Sequence, residues 1–255
     1  MPFTISHAPI AAPLWPLVRR GHLPLPALAI GAMVPDFEYF LHLRPLALWG
    51  HSLAGILTFC LPAGLVVVGA WEFVMRDGVR SLLAIEDTPA ETVRSGRWWV
   101  LAGVAVLLGA ASHIAWDGLT HRGGWGERML PDLSSAAIPM RGRPVTWAGL
   151  LDYASTIVGG VIVCTWLGRQ LHRAGALAVL ARSGWRWLVL VATVGGALAV
   201  GYWNGSRGPA AADYWSGELW LARVAVGSML GFAAALLAFC AIRRVARSRA
   251  SPPAI

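Results

Sequence analysis

Lysine is absent from this chain, and charge of either sign is scarce. All 21 basic side chains are arginine, the acids number 13, and charged residues fill only 13% of 255 positions. That fraction is about half that of an ordinary soluble domain. With 56% hydrophobic residues, it argues against a soluble globular protein. Cysteine is also scarce. Cys60, Cys164 and Cys240 lie inside apolar runs with no CxxC spacing, so neither a disulfide framework nor a thiolate zinc site is expected. The net charge of +8 does not point to nucleic acid, because the arginines sit between apolar runs, where membrane-topology signals belong. A secretory leader is not expected either. The first charges are Arg19 and Arg20, and Pro9, Pro13 and Pro16 interrupt any apolar leader core.

What the chain has in quantity is long apolar sequence. A bilayer needs about 20 such residues in a helix. Five runs qualify, at about 51–75, 98–120, 148–167, 185–203 and 219–242. The reading is an all-α polytopic membrane helix bundle of about five transmembrane helices. Residues 1–49 are apolar but broken by proline, and the run 25–34 is too short to span, so an N-terminal helical region, re-entrant or interfacial, is expected. The expected organisation is a metal-site membrane domain over 1–168, two further spans over 169–242, and a basic, disordered tail over 243–255. The segments 76–97, 169–186 and 243–255 hold twelve arginines, against eight in 1–49, 121–146 and 204–217. The positive-inside rule then favours a cytosolic tail in a bacterial inner membrane. The fourteen tryptophans suit the interfacial belt and the lipid-facing surface. The lipid bilayer is the one partner this implies; oligomeric state is open.

Polar residues stand out against this background. His113, Asp117 and His121 recur every four residues at the end of the second run, so on a helix they form one stripe. Neighbours are about 6 Å apart along the axis, so His113 and His121 can hardly share one ion, and Asp117 in the middle suits a bridge between two. Gly123-Gly124 is expected to stop the helix. Ionisable groups at the end of a membrane-grade helix are costly and suggest function. An antiparallel first pair of spans puts His51 at the same membrane surface, and His7, Asp36 and Glu38 precede that span. Zinc favours such a mixture of imidazole and carboxylate. A buried hydrogen-bonded relay is the plain structural alternative for the stripe, and a helix cap is the alternative for Asp36 after Pro35.

Four segments carry a family likeness: Thr4-Ile5-Ser6-His7, Ala29-Ile30-Gly31-Ala32-Met33-Val34-Pro35-Asp36, Trp49-Gly50-His51-Ser52 and His113-Ile114-Ala115-Trp116-Asp117. Their order resembles a group of uncharacterised bacterial membrane proteins, themselves similar to the membrane-bound metal-dependent hydrolases. More distantly it resembles the zinc-dependent phospholipase C and single-strand nuclease superfamily. The likeness covers residues 1 to about 155. It implies His7, Asp36, His51, His113 and Asp117 as metal ligands, with His121 a sixth. One or two divalent ions are implied, zinc first and manganese as the alternative. Where the membrane relatives carry a histidine at the start of the third span, this chain has Asp152-Tyr153, so one of these substitutes or one metal position is missing. Asp117 and Glu38 are the candidate catalytic carboxylates. Arg122, Arg141 and Arg143 are candidates for binding a substrate phosphate, which the guanidinium fork suits; simple loop charge is the alternative. The implied activity is hydrolysis of a phosphoester such as a lipid headgroup. The rival is a non-enzymatic membrane protein, a metal or small-solute transporter or an assembly factor, whose polar cluster is structural.

Overall fold

The computed structural model describes residues 4–83, 95–140, 144–208 and 214–250. A 3-10 segment, Thr4–Leu14, leads into α1 (Trp15–Arg19) and α2 (Leu25–Gly31). A 3-10 turn over Val34–Phe37 precedes α3 (Glu38–His42). The long helices follow: α4 (Leu53–Leu83) and α5 (Gly96–Thr120). A short α6 (Trp125–Met129) and a two-stranded antiparallel ribbon, β1 (Ala136–Ile138) with β2 (Val145–Thr146), come next. The chain then runs through α7 (Trp147–Arg173), α8 (Ala176–Ala181), α9 (Gly184–Ser206) and α10 (Tyr214–Ala250). The protein is an all-α polytopic bundle with five helices long and apolar enough to cross a membrane. Most of their surface is left uncovered; Val161, Ile162, Leu188, Val191 and Leu198 stand exposed, a face suited to lipid.

The helices outrun the apolar runs that announce them. α4 continues to Leu83, through the charged stretch expected to be loop, with Arg76 Nη1 donating to Glu72 Oε2 one turn back at 2.9 Å. Hydropathy marks where lipid can touch, whereas a helix continues wherever its backbone bonds continue. Inside α4 the first turn widens into a π-segment, Ile56–Cys60, just ahead of Pro62. Proline offers no N–H and crowds the carbonyl four residues back, so a wider turn relieves both problems. Ser95 caps α5 by accepting from Trp98 N at 3.2 Å. At its other end α5 stops at Thr120, and His121 is already extended (φ −91°, ψ 148°), two residues before the expected glycine stop.

Two compact units emerge, one comprising residues 1–37, 47–65 and 95–166, the other 38–46, 66–94 and 167–255. Residues 38–46 and 66–83 group with the later helices. In the first unit α2 lies against α5 through a seam of small buried residues, Ala27, Ala32, Ala102, Ala105 and Ala110. Contact is so close at Gly109 that a Cβ there would sit 2.5 Å from Ala32 N. In the second unit α9 and α10 pack as a hairpin along Gly201, Gly205, Gly227 and Gly231, the small-residue spacing that lets membrane helices touch backbone to backbone.

Candidate metal centre

The backbone approach at Gly109 has a direct chemical consequence one turn later. It brings the Ala32 carbonyl to 2.8 Å from His113 Nδ1, which donates its proton there. That bond fixes the ring tautomer and leaves the Nε2 lone pair facing inward, the arrangement metal-binding histidines adopt. His113 is fully buried. From the same helix Asp117 places Oδ2 at 3.3 Å from His113 Nε2. Asp36 arrives on the 3-10 turn that ends the α2 segment, and His51 arrives just before α4.

Four atoms therefore converge: Nε2 of His51, Nε2 of His113, Asp36 Oδ1 and Asp117 Oδ2. Their separations are 3.3 Å between the two histidines, 3.4 Å for His51–Asp36, 3.2 Å for His51–Asp117, 3.6 Å for His113–Asp36 and 3.3 Å for His113–Asp117. Charge-assisted hydrogen bonds would draw such pairs to about 2.7–2.9 Å. A tetrahedral zinc with bonds of about 2.0–2.1 Å spaces its ligands by about 3.3–3.4 Å. These five separations are longer than charge-assisted hydrogen bonds and close to the ligand spacing of such an ion, and the ligand atoms fall into two groups that share His113: Asp36 with His51, and His7 with Asp117.

The other oxygen of Asp117 faces a second set. Oδ1 lies 3.8 Å from His7 Nε2 and 3.7 Å from His121 Nδ1. His7 stacks on His113, ring centroids 3.9 Å apart. It reaches that place because the 3-10 segment carrying it presses Ser6 against Gly159 of α7, where any side chain would collide. His7 is 1% exposed, and neither of its nitrogens, nor Asp36 Oδ2 nor Asp117 Oδ1, has a hydrogen-bond partner among the described residues. An unsatisfied buried polar group costs about 1–3 kcal/mol, so this many together call for a missing partner. Solvent reaches the cluster at His51, 22% exposed, and His121, 40% exposed, while His7, Asp36 and His113 are enclosed.

Charge follows the same division. Burial, with His113 adding repulsion, pushes His7 down to about 4, so its ring is neutral and available as a ligand. Burial also works against protonation of His51, but the Asp117 and Asp36 carboxylates outweigh it and pull that ring up to about 9. Asp36 is buried too, which favours its neutral form, yet the surrounding histidines hold its carboxyl below the usual range.

His7, His51, His113 and His121 thus lie around Asp117, and Asp36 joins them through His51 and His113; His121 belongs to neither group of converging ligand atoms. Asp152 is buried near the start of α7, with His121 and Asp117 among its electrostatic neighbours. Tyr153 beside it is half-buried. Glu38 is also buried, in α3, but does not belong to either group of converging ligand atoms. Arg122 is exposed next to His121, and Arg141 and Arg143 lie outside the described residues. The Ala32 carbonyl was not foreseen from the sequence; the small residues Gly31-Ala32 opposite Gly109 were its only signal.

A family profile described as a domain of unknown function (DUF4184) matches residues 1–241, and the chain belongs to that family. No curated protein and no solved structure matches it.

Proposed function

We propose that this member of the DUF4184 family is a membrane-bound, metal-dependent hydrolase acting on a phosphoester such as a lipid headgroup. The observation that supports the metal is the spacing of 3.2–3.6 Å at which His51 and His113 each face both Asp36 and Asp117. These four would hold an inner ion, zinc by the choice of donors and their spacing. Asp117 Oδ1, His7 and His121 would hold an outer one, with Asp117 as the bridge. When bound, such ions supply Lewis acidity toward water and a phosphoryl oxygen.

The two positions differ in what they can do. Four protein ligands close a zinc site, whereas three leave room for a reactant. The outer position is therefore the one assigned to chemistry, and its opening lies beside His121 and the exposed Arg122. His7 and His113, both enclosed, keep water from the inner face of the cluster. His51 bears a proton at neutral pH while no ion is present and gives it up to become a ligand. The phosphoester substrate rests on the resemblance of the four sequence segments. The cytosolic tail and the bacterial inner membrane rest on the arginine distribution, which puts the metal centre on the outer face.

One observation favours a second reading. A closed four-ligand site by itself is what structural zinc looks like, so the cluster could serve only to pin α2 to α5. Turnover separates the two. Zinc-loaded protein in detergent, assayed on phosphodiesters and phospholipids, is expected to hydrolyse at least one class. His121→Ala is expected to abolish that activity while the inner ion and the fold persist. Metal-loaded protein that hydrolyses no phosphoester would leave the structural reading standing.

A further inference from the structure

The second unit holds a polar cavity that has no part in the metal cluster. Its volume is about 430 Å³, and it is lined by Leu41–Arg44, Asn204, Arg207 and Arg223. Asn204, the chain's single asparagine, is fully buried near the end of α9. Its Nδ2 donates to the carbonyls of Leu43 (3.0 Å) and Arg223 (2.7 Å), which settles the orientation of the amide. Leu43 has a positive φ of 51°, a conformation costly for a side chain of its kind, and the Asn204 bond holds it there, turning the chain so that Arg44 lines the cavity.

The groups left over define the missing partner. Asn204 Oδ1, an acceptor, and Arg223 Nε, a donor, are both buried with no partner among the described residues. Arg223 stands within the fifth span, and Gly208 leaves the room its side chain occupies. Arg207 lies over the Trp203 ring at 4.8 Å. Among the described residues no carboxylate pairs with Arg44, Arg207 or Arg223. Three guanidinium groups around one cavity, none paired with a carboxylate among the described residues, suit an anion with forked oxygens. The orphaned amide oxygen calls for a hydrogen-bond donor on the same ligand. At this end of α9 Tyr202 and Trp203 are exposed, as aromatics are at headgroup level.

We propose that Arg44, Arg207, Arg223 and Asn204 form a binding site for a phosphate group that carries a hydrogen-bond donor beside its anionic oxygens. Phosphatidylglycerol headgroups and free protonated phosphate both have this chemistry; phosphatidylcholine, which has no donor, does not. The site is independent of the metal reading, since no candidate metal ligand lines it.

The test is lipid binding to the detergent-purified full chain, read by native mass spectrometry. Phosphatidylglycerol and phosphatidylcholine are compared, with inorganic phosphate as competitor. The wild type is expected to prefer phosphatidylglycerol by about tenfold, as fits several charge-assisted contacts to one headgroup. Arg223→Gln is expected to lose that preference. If Arg223→Gln does not fold, the exposed pair Arg44→Gln and Arg207→Gln makes the same comparison. Competition by millimolar phosphate would assign the site to the free anion; preference without competition would assign it to the headgroup. Equal binding of the two lipids by the wild type with no phosphate binding, or a preference that survives every substitution, would overturn the proposal.

Discussion

The two polar sites of this molecule are built on opposite plans. In the first unit, imidazole and carboxylate groups from four separate segments come within 4 Å of one another, nearly all enclosed, and opposite charges face each other. In the second, like charges surround a cavity and nothing among the described residues neutralises them. A converged cluster leans heavily on the members that touch several others, His113 and Asp117 above all. A ring of arginines around a cavity works by summed field, and each member contributes a share. Single substitutions should therefore cost more in the first unit than in the second.

The sharpest way to break that contrast is Asp117→Ala. It removes the carboxylate that faces His51 and His113 through one oxygen and His7 and His121 through the other, so on the proposed reading metal affinity should fall by more than about a hundredfold, beyond the loss typical of a supporting residue. Metal titration of purified protein measures this, and an unchanged stoichiometry would dissolve the contrast. Next in size is Gly109→Leu, which touches no ligand. It should destabilise the protein by about 1–3 kcal/mol through overpacking and also weaken metal binding, because the Ala32 carbonyl is displaced from His113. Thermal unfolding and metal content of the same preparation would show the two losses together. A stability loss with full metal content would mean that the carbonyl contact does not orient the ring.

His121→Ala should cost less, about 10- to 100-fold in affinity for the outer ion alone, with the inner one retained. Loss of both ions would contradict separate positions. Proton linkage gives a subtler effect. Without an ion, His51 titrates at about 9, above its usual 6.5, so at pH 7 it is protonated. Metal uptake at that pH should release its proton, and affinity should rise with pH until about 9. Calorimetry in buffers of different ionisation enthalpy counts the proton. The same raised value stabilises the metal-free fold fully below pH 6.5, a contribution lost as pH climbs through 9. His7, depressed to about 4, acts at the other end: stability is lost as pH falls from 6.5 toward 4. The smallest effect belongs to the second unit. Arg207→Gln alone should weaken phosphatidylglycerol binding only a few-fold, since two guanidinium groups remain.

Much of the first unit was legible in the sequence, because its logic is local. His113, Asp117 and His121 announce themselves by helical spacing, and the apolar runs announce the spans. The joining of His7, Asp36 and His51 to that stripe followed from topology and resemblance. What stayed hidden depends on contacts between distant backbones. No residue pattern says that Ala32 offers its carbonyl to His113. The arginine cavity was harder still. Arg223 lies within a span, but its neighbours Arg44 and Asn204 come from positions 160 residues apart in the chain. Helix ends were missed because Arg76 and the residues after it continue a helix that hydropathy had already left.

Elemental analysis of the purified protein, beside Asp117→Ala and His113→Ala, tests the metal centre most directly. One or two equivalents of zinc in the wild type, lost in both variants while the protein remains folded, is the expected result. No stoichiometric metal in protein purified without chelators, and none taken up when zinc or manganese is added back, would contradict it and leave the cluster a hydrogen-bonded network.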